Sequence, residues 1–459
     1  MKKQAIILNI LAALSLSTGF PVQAENLALM ELLKALQANG TIDKQIYELV
    51  KNVAQSEDES EKQAVQEITR QEVSQSIDRT ADKVVKEKVE LAQKELVRQN
   101  VVKSENTIKI GGRIQIDAAT YSEDDSRHND GTEIRRARLF AEGILGGAWG
   151  YKLQYDFTGS GIDGIQDAYL DYKGLEHFKI RMGHFEEPFG LQNMTSSKYV
   201  LFTERGLPDV FEGGRNIGLQ ISRGGENWTA TAGFFGEGRD GASSDNDEGF
   251  GTSGRVTYAP TYEKTHALHL GASAAYRSTG STDTLRFRER PESHLTDTRL
   301  VDTGSFDADN YARFVSEAAY IRGPFHIQGE YYHTTVDREI STNEGLGFNG
   351  FYVEGGWFLT GESMNYVASE GKFGRVTPKI AVGKGGVGAW QVALRFSSLD
   401  LTDEDIIGGE EDNFTFGLNW YATPNIRFIA NYVNVLDVDG GASDGDEPES
   451  IQLRTQVEF

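Results

Sequence analysis

The chain has 459 residues, no cysteine, 51 glycines and a formal net charge of -23. The missing cysteines exclude disulfides, thiolate nucleophiles and cysteine metal sites, and suit a chain that passes through an oxidising compartment. The acidic balance argues against nucleic acid as a partner, because a phosphate backbone would be repelled, and the length exceeds one ordinary core.

Residues 1–24 read as an export signal. Lys2 and Lys3 precede an apolar run from about Ala5 to Leu16, and Val22-Gln23-Ala24 is a small-x-small site, so cleavage is expected after Ala24. The run is about a dozen residues where a single bilayer helix takes roughly 20, which argues against a transmembrane anchor.

Residues 25–104 carry a helical period. Leu29, Leu32, Leu33 and Leu36 share a face and stop at Asn39-Gly40; Ile42, Ile46, Leu49, Val50 and Val53 then open a second helix, which predicts a helical hairpin. Beyond the charged stretch from Ser56 to Lys62, Val73, Ile77, Ala81, Val85, Val89, Ala92 and Leu96 recur at steps of three and four with charged flanks. That is the pattern of a helix pairing with copies of itself, a coiled coil, the other reading being one solvated helix or tether.

After Asn106 the period becomes two, as strands require. Ile108, Ile110, Ile114 and Ile116 alternate with Lys109, Arg113, Gln115 and Asp117, and Leu153, Tyr155 and Phe157 with Lys152, Gln154 and Asp156. The alternation returns at Trp390 to Phe396, Phe414 to Trp420 and Ile426 to Tyr432. After Ala24 there is no run of about 18 apolar residues, so a membrane crossing requires a closed barrel, the other architecture that satisfies backbone groups in lipid. A soluble sandwich also alternates. Long charged residues on the wet faces, aromatics near strand ends and a last strand of Ile451, Leu453, Val457 and Phe459 favour the barrel. A closing strand that ends in phenylalanine is a mark of bacterial outer-membrane barrels.

The expected fold is therefore all-β: a transmembrane antiparallel β-barrel over 105–459, preceded by an N-terminal α-helical and coiled-coil segment. About 355 residues, at roughly 22 per strand with its connection, give about 16 strands. The glycine- and acid-rich stretches from Ser122 to Gly131, Gly236 to Gly251, Asp400 to Asn413 and Asp437 to Ser450 are predicted mobile surface loops, and none has calcium-loop spacing.

The eight histidines form no catalytic or metal set; His266 and His269 lie on opposite faces of one strand, as do His326 and His333. With no serine elbow, zinc-binding helix motif or phosphate-cradling glycine loop, no catalytic residue, metal or cofactor is expected.

Three motifs carry a resemblance: Gly111-Gly112-Arg113-Ile114-Gln115-Ile116-Asp117, Glu133-Ile134-Arg135-Arg136-Ala137-Arg138-Leu139, and Arg181-Met182-Gly183-His184-Phe185 running on to Pro188-Phe189-Gly190-Leu191. With Thr195-Ser196-Ser197-Lys198, Glu204-Arg205 and Leu359-Thr360-Gly361-Glu362, the barrel half resembles the phosphate-selective porin O and P family. The resemblance implies a homotrimer of 16-stranded outer-membrane barrels in contact with lipid, a periplasmic N-terminal segment, and passive passage of small anionic solutes.

It also implies site residues. Arg113, Arg135, Arg136 and Arg205 match the constriction arginines of the family, and Arg286, Arg288 and Arg290 resemble its arginine ladder. Arg138 shares the phase of Arg136. In an extended segment the three ladder guanidiniums project to one side, so an anion could pass between successive bidentate partners. Alternation puts Arg135 opposite Arg136, so its lumenal placement rests on the resemblance alone. The other reading of these arginines is wall bracing by the inward acids Asp117, Glu142, Asp156, Asp167, Asp171, Glu317 and Glu330, with the ladder a loop paired to Glu289 and Glu292.

The chain departs from the phosphate-specific members at Gly190-Leu191-Gln192-Asn193, where they carry a lysine after Gly-Leu-Glu, at Asp337 and Gly347, where they carry lysines, and at Gln166, where they carry aspartate. An anion preference is expected, with phosphate and polyphosphate among several candidates. The alternatives are a general porin of low selectivity and a barrel-anchored enzyme or adhesin.

Overall fold

The change of period at Asn106 is where the sheet begins. A computed structural model describes residues 106–459, except 239–246 and 339–343, together with scattered positions between 31 and 51. The expected cleavage site and the self-pairing helix from Val73 to Leu96 lie outside the described residues. Of the expected hairpin, Glu31, Lys34, Ala35, Gln37, Ala38, Lys44, Tyr47, Glu48 and Lys51 are described, and they are helical.

Sixteen antiparallel strands close on themselves. The first eight are β1 (Thr107–Ser122), β2 (Gly131–Leu145), β3 (Trp149–Asp156), β4 (Ile165–Tyr172), β5 (Lys179–Glu186), β6 (Arg215–Gly224), β7 (Trp228–Phe235) and β8 (Gly251–Glu263). The rest are β9 (His266–Ser278), β10 (Asn310–Arg322), β11 (Phe325–Asp337), β12 (Leu346–Phe358), β13 (Ala389–Asp403), β14 (Ile406–Tyr421), β15 (Ile426–Asp439) and β16 (Glu449–Glu458). Each strand pairs with its neighbours in sequence, and β1 pairs with β16, so the barrel has no open edge.

Alternation sorts the side chains as expected. Ile108 is 66% exposed and Leu394 50%, on an outer face that is apolar, whereas Arg113, Gln115 and Asp117 on the inner face are buried. An apolar outside around a polar inside suits lipid. Aromatic pairs gather at the rim that holds the two ends of the sheet, here called the terminal rim. Trp149 meets Tyr172 at 4.8 Å between ring centres, Phe325 meets Trp357 at 5.6 Å, and Trp420 stacks between Trp390 and Phe428 at 5.3 and 5.2 Å. Amphipathic rings at that level form one girdle of a membrane belt.

One loop expectation is corrected. Asp400 to Asn413 is paired strand, with Asp400 opposite Glu410 and Thr402 opposite Ile407, and β13 and β14 are joined by a tight turn at Glu404, φ 50°. Acidic composition signalled a loop because it buries nothing, yet a ladder needs only backbone partners, and these strands continue past the apolar belt into the other, distal rim.

Three long connections turn inward. Residues 187–214 and 279–309 enter from the distal rim, and 359–388 from the terminal rim. Phe189, Leu207 and Phe211 of the first and Phe287, Val301 and Phe306 of the second pack on Val315, Tyr332, Phe348, Tyr352 and Leu399 of the inner wall. Leu191, Leu201 and Phe202 of the first and Met364, Phe373 and Val376 of the third form another core on Ile321, Phe358, Ala389 and Tyr421. Two apolar cores thus occupy the inside of β9 to β14.

Closure depends on a close approach at Gly112. Its N–H donates to Phe459 O at 3.0 Å, and Phe459 N–H donates back to Gly112 O at 3.1 Å. A Cβ at 112 would lie 2.5 Å from Arg138 O and 2.7 Å from the Phe459 ring. Gly112→Ala should reduce the fraction of compact barrel that survives in unheated gel electrophoresis; unchanged migration would refute the tight seam.

Candidate functional site

The inward connections are tied to the wall by polar groups. Glu330 on β11 accepts the backbone N–H of Leu191 at 2.5 Å and of Gln192 at 2.8 Å, and Gln192 donates its amide to Glu354 at 3.1 Å. Arg427 on β15 donates to the carbonyls of Lys198, Val200 and Leu201 at 3.2, 2.8 and 2.9 Å. Segment 279–309 is pinned by Glu292, which accepts from Arg395, Ser397 and Thr415 while its own backbone takes the left-handed region, φ 49°.

With one side of the lumen filled, the open space is displaced to the other. A cavity of about 1070 Å³ is lined by β1 to β8, by Pro188 to Arg205 and by Asn365 to Arg375, and by no residue of β9 to β16. Fifteen lysines and arginines line it against five aspartates and glutamates. A chain of net charge -23 therefore holds a cationic lumen.

Four of the expected residues, Arg113, Arg136, Arg138 and Arg205, line this cavity. Arg113 donates to Ser196 Oγ at 3.1 Å, Arg136 to Gln115 Oε1 at 3.0 Å, and Arg138 to Asp156 at 2.6 Å. Arg205 staples the inward connection to itself, donating to the carbonyls of Gln192 and Asn193 at 3.1 and 3.2 Å beside Asp209 and Glu212.

Arg135 corrects the alternation argument. Gln115 pairs with Arg136 and Ile116 with Ile134, so Arg135 is the extra residue of a β-bulge. A bulge sets two successive residues against one and re-aims a side chain. Arg135 and Arg136 therefore both turn to Glu204, Arg135 at 2.8 and 3.0 Å and Arg136 at 3.8 Å; Arg454 completes the set at 2.8 Å. Burial pushes the Glu204 carboxyl up, but Arg135, Arg136 and Arg454 outweigh it and hold the group well below the usual carboxylate range.

The three ladder arginines are not brought to the cavity. Arg286 and Arg288 are exposed on one side of segment 279–309 while Phe287 between them enters the apolar core, which is the alternation expected of an extended stretch. The expected pairing with Glu289 and Glu292 is replaced: Arg286 pairs with Asp302, Arg290 with Asp297 at 2.9 Å, and Glu292 is taken by Arg395.

Pore lining and wall bracing prove compatible. Asp156, Asp171 and Glu317 hold Arg138, Arg181 and Arg255 at 2.6 to 2.8 Å, and only the arginine of each pair reaches the cavity. The acid lies behind and the cation in front. Lining residues that the sequence argument did not single out include Lys152, Arg181, Lys198, Arg215, Arg255 and Arg375. Inward phase on β3, β5 and β8 would have found Lys152, Arg181 and Arg255; Lys198 and Arg375 sit on inward connections, which have no period to read. Among the described residues no group of three or more side chains suits a metal ion.

A family model described as phosphate-selective porin O and P matches residues 108–459. The chain belongs to that family. This porin is 27% identical to Porin O of Pseudomonas aeruginosa over 390 residues, covering 74% of the chain and 86% of the relative. It is 32% identical to an uncharacterized protein of Caulobacter vibrioides over 351 residues, covering 73% and 70%. It superposes on OmpT, an outer membrane protein of Vibrio cholerae, with a TM-score of 0.52 at 11% identity, over 78% of this chain and 98% of that one, a likeness of fold alone. Family and closed barrel together make this an outer-membrane porin of the Gram-negative type.

Among the described residues Glu204 is the carboxylate that pairs with both Arg135 and Arg136. Glu204→Ala should cost on the order of 3 kcal/mol, as for breaking a buried ion pair from one side, read from denaturant unfolding in detergent. An unchanged midpoint would dismiss Glu204 as the tie.

Proposed function

We propose that this porin passes small anionic solutes by passive diffusion, through a constriction to which Arg113, Arg136, Arg138 and Arg205 present positive charge, with Arg135 bracing it through Glu204. The observation that carries the reading is the cavity's fifteen cations against five acids. A cationic passage with low-dielectric walls focuses field and raises the local anion concentration, while binding stays weak enough for release. Family and fold support a channel that does no bond chemistry. Arg286, Arg288 and Arg290 stand on the distal side as a first attraction for anions. Phosphate and polyphosphate are among the solutes; Asn193, which follows Gly190-Leu191-Gln192 where the phosphate-specific members have lysine after Gly-Leu-Glu, favours a broader anion preference.

The same reading makes 1–24 a cleaved signal, assigns the helical segment 25–104 to the periplasm, and has it support a homotrimer embedded in outer-membrane lipid. Its support is the family resemblance and the apolar period from Leu29 to Leu96. Deletion of residues 25–100 should lower the temperature at which the trimer dissociates in gels; equal stability would remove the helices from association.

The main test is the reversal potential of the purified protein in a planar bilayer across a potassium chloride gradient, which should have the sign of anion selectivity. Arg113→Ala with Arg136→Ala should shift it towards cations. A cation-selective wild type would overturn the anion reading, and an absence of conductance the porin reading.

A further inference from the structure

The last inward acid of the barrel has an unusual set of partners. Glu458, on β16, is 4% exposed in its side chain and does not line the cavity. One of its oxygens, Oε2, receives Lys198 Nζ at 2.9 Å, Arg375 Nη2 at 3.0 Å and the Tyr199 hydroxyl at 3.3 Å. Lys198 and Tyr199 belong to the inward connection 187–214, Arg375 to 359–388, and both cations line the cavity. Two inward connections distant in sequence thus converge on a single carboxylate oxygen of β16.

We propose that Lys198 and Arg375 form a two-cation contact for doubly charged oxyanions in the lumen, and that Glu458 is the residue that positions it. Both cationic nitrogens touch the same oxygen, so they are no further apart than those two distances allow together, a span that one tetrahedral oxyanion bridges with two of its oxygens. One carboxylate against two cations leaves a net positive charge. A carboxylate oxygen has two lone pairs, so three donors over-subscribe it, while a lysine ammonium carries three N–H groups and a guanidinium five; donors are left over for a guest. The acid lies behind and contributes little repulsion to a solute in front. Arg113, opposite Glu458 in the β1–β16 register, adds a third cation on the adjoining strand.

The contact also has the properties that transit requires. Arg375 is 39% exposed and Lys198 19%, so a solute reaches them without displacing the protein's own partner, and leaves by the same route. A monovalent ion such as chloride spans only one cation at a time and gains less from the pair.

The proposal rests on the anion-porin reading, and the experiment separates the two. Chloride conductance and reversal potential of the wild type test the porin; the sulfate concentration that halves the chloride current tests the contact. Lys198→Ala and Arg375→Ala should each raise that concentration about tenfold, the loss of one charge-assisted partner. Glu458→Gln should also raise it, several-fold, although it removes a negative charge, because the two cations are no longer held together. Compact migration in unheated gels shows that each variant has folded, and Lys198→Ala with Arg375→Ala keeps the question open to test if Glu458→Gln has not. Anion-selective channels in which sulfate acts as on the wild type would overturn the contact alone. Stronger sulfate action in Glu458→Gln would overturn the positioning role and leave Glu458 as an ordinary counter-charge. A cation-selective wild type would overturn both readings.

Discussion

A strand surrounded by lipid has no water to bond, so every backbone N–H and C=O must be met by a neighbouring strand. Closure follows, and with it the pairing of β1 with β16 at Gly112 and Phe459. From closure follows the strict period of two: a residue that points out meets hydrocarbon, and its neighbours point in. Charge has one place to go. The interior of this porin is therefore charged before any question of function arises, and what selection can act on is which charges reach the open space.

Sixteen strands enclose more room than wall side chains can fill. Segments 187–214, 279–309 and 359–388 take up the surplus, and they do so on one side, building two apolar cores against β9 to β14. The open space is displaced towards β1 to β8 as a consequence, and the strands that carry Arg113, Arg136, Arg138, Arg181 and Arg255 line the cavity. The filled side has its own electrostatic cost, met by Glu330 receiving two backbone N–H groups and by Glu292 receiving Arg395, Ser397 and Thr415. The filled side and the open side are one construction.

Much of this was legible because it obeys a local rule. The alternation of Ile108, Ile110, Ile114 and Ile116 with Arg113, Gln115 and Asp117 determines both faces of β1, and the same rule extends to the strand count. It failed in three instructive places. Alternation alone puts Arg135 on the outer face, because a bulge inserts a residue without a mark in composition; only the resemblance turns it inward. Asp400 to Asn413 carries the acidic composition of a loop, whereas its pairing comes from neighbouring strands. The inward course of 187–214 and 359–388 has no local signal, because those stretches are neither periodic nor repetitive; their apolar residues, Phe189, Leu191, Leu201, Phe202 and Phe373, find partners far away in sequence.

The net charge of the chain is a poor guide to the charge of its cavity, and the reason is geometric. An arginine in the wall needs a carboxylate nearby, since an unpaired buried charge is costly, and such pairs contribute nothing to the total. What decides the field in the lumen is the order of the two along the line from wall to centre. Asp156 behind Arg138, Asp171 behind Arg181, Glu317 behind Arg255 and Glu458 behind Lys198 and Arg375 all have the acid outermost, against the wall, and the cation facing the cavity. Reversing one pair in place would keep the composition, the net charge and the ion pair, and would turn the face that a passing solute meets from positive to negative.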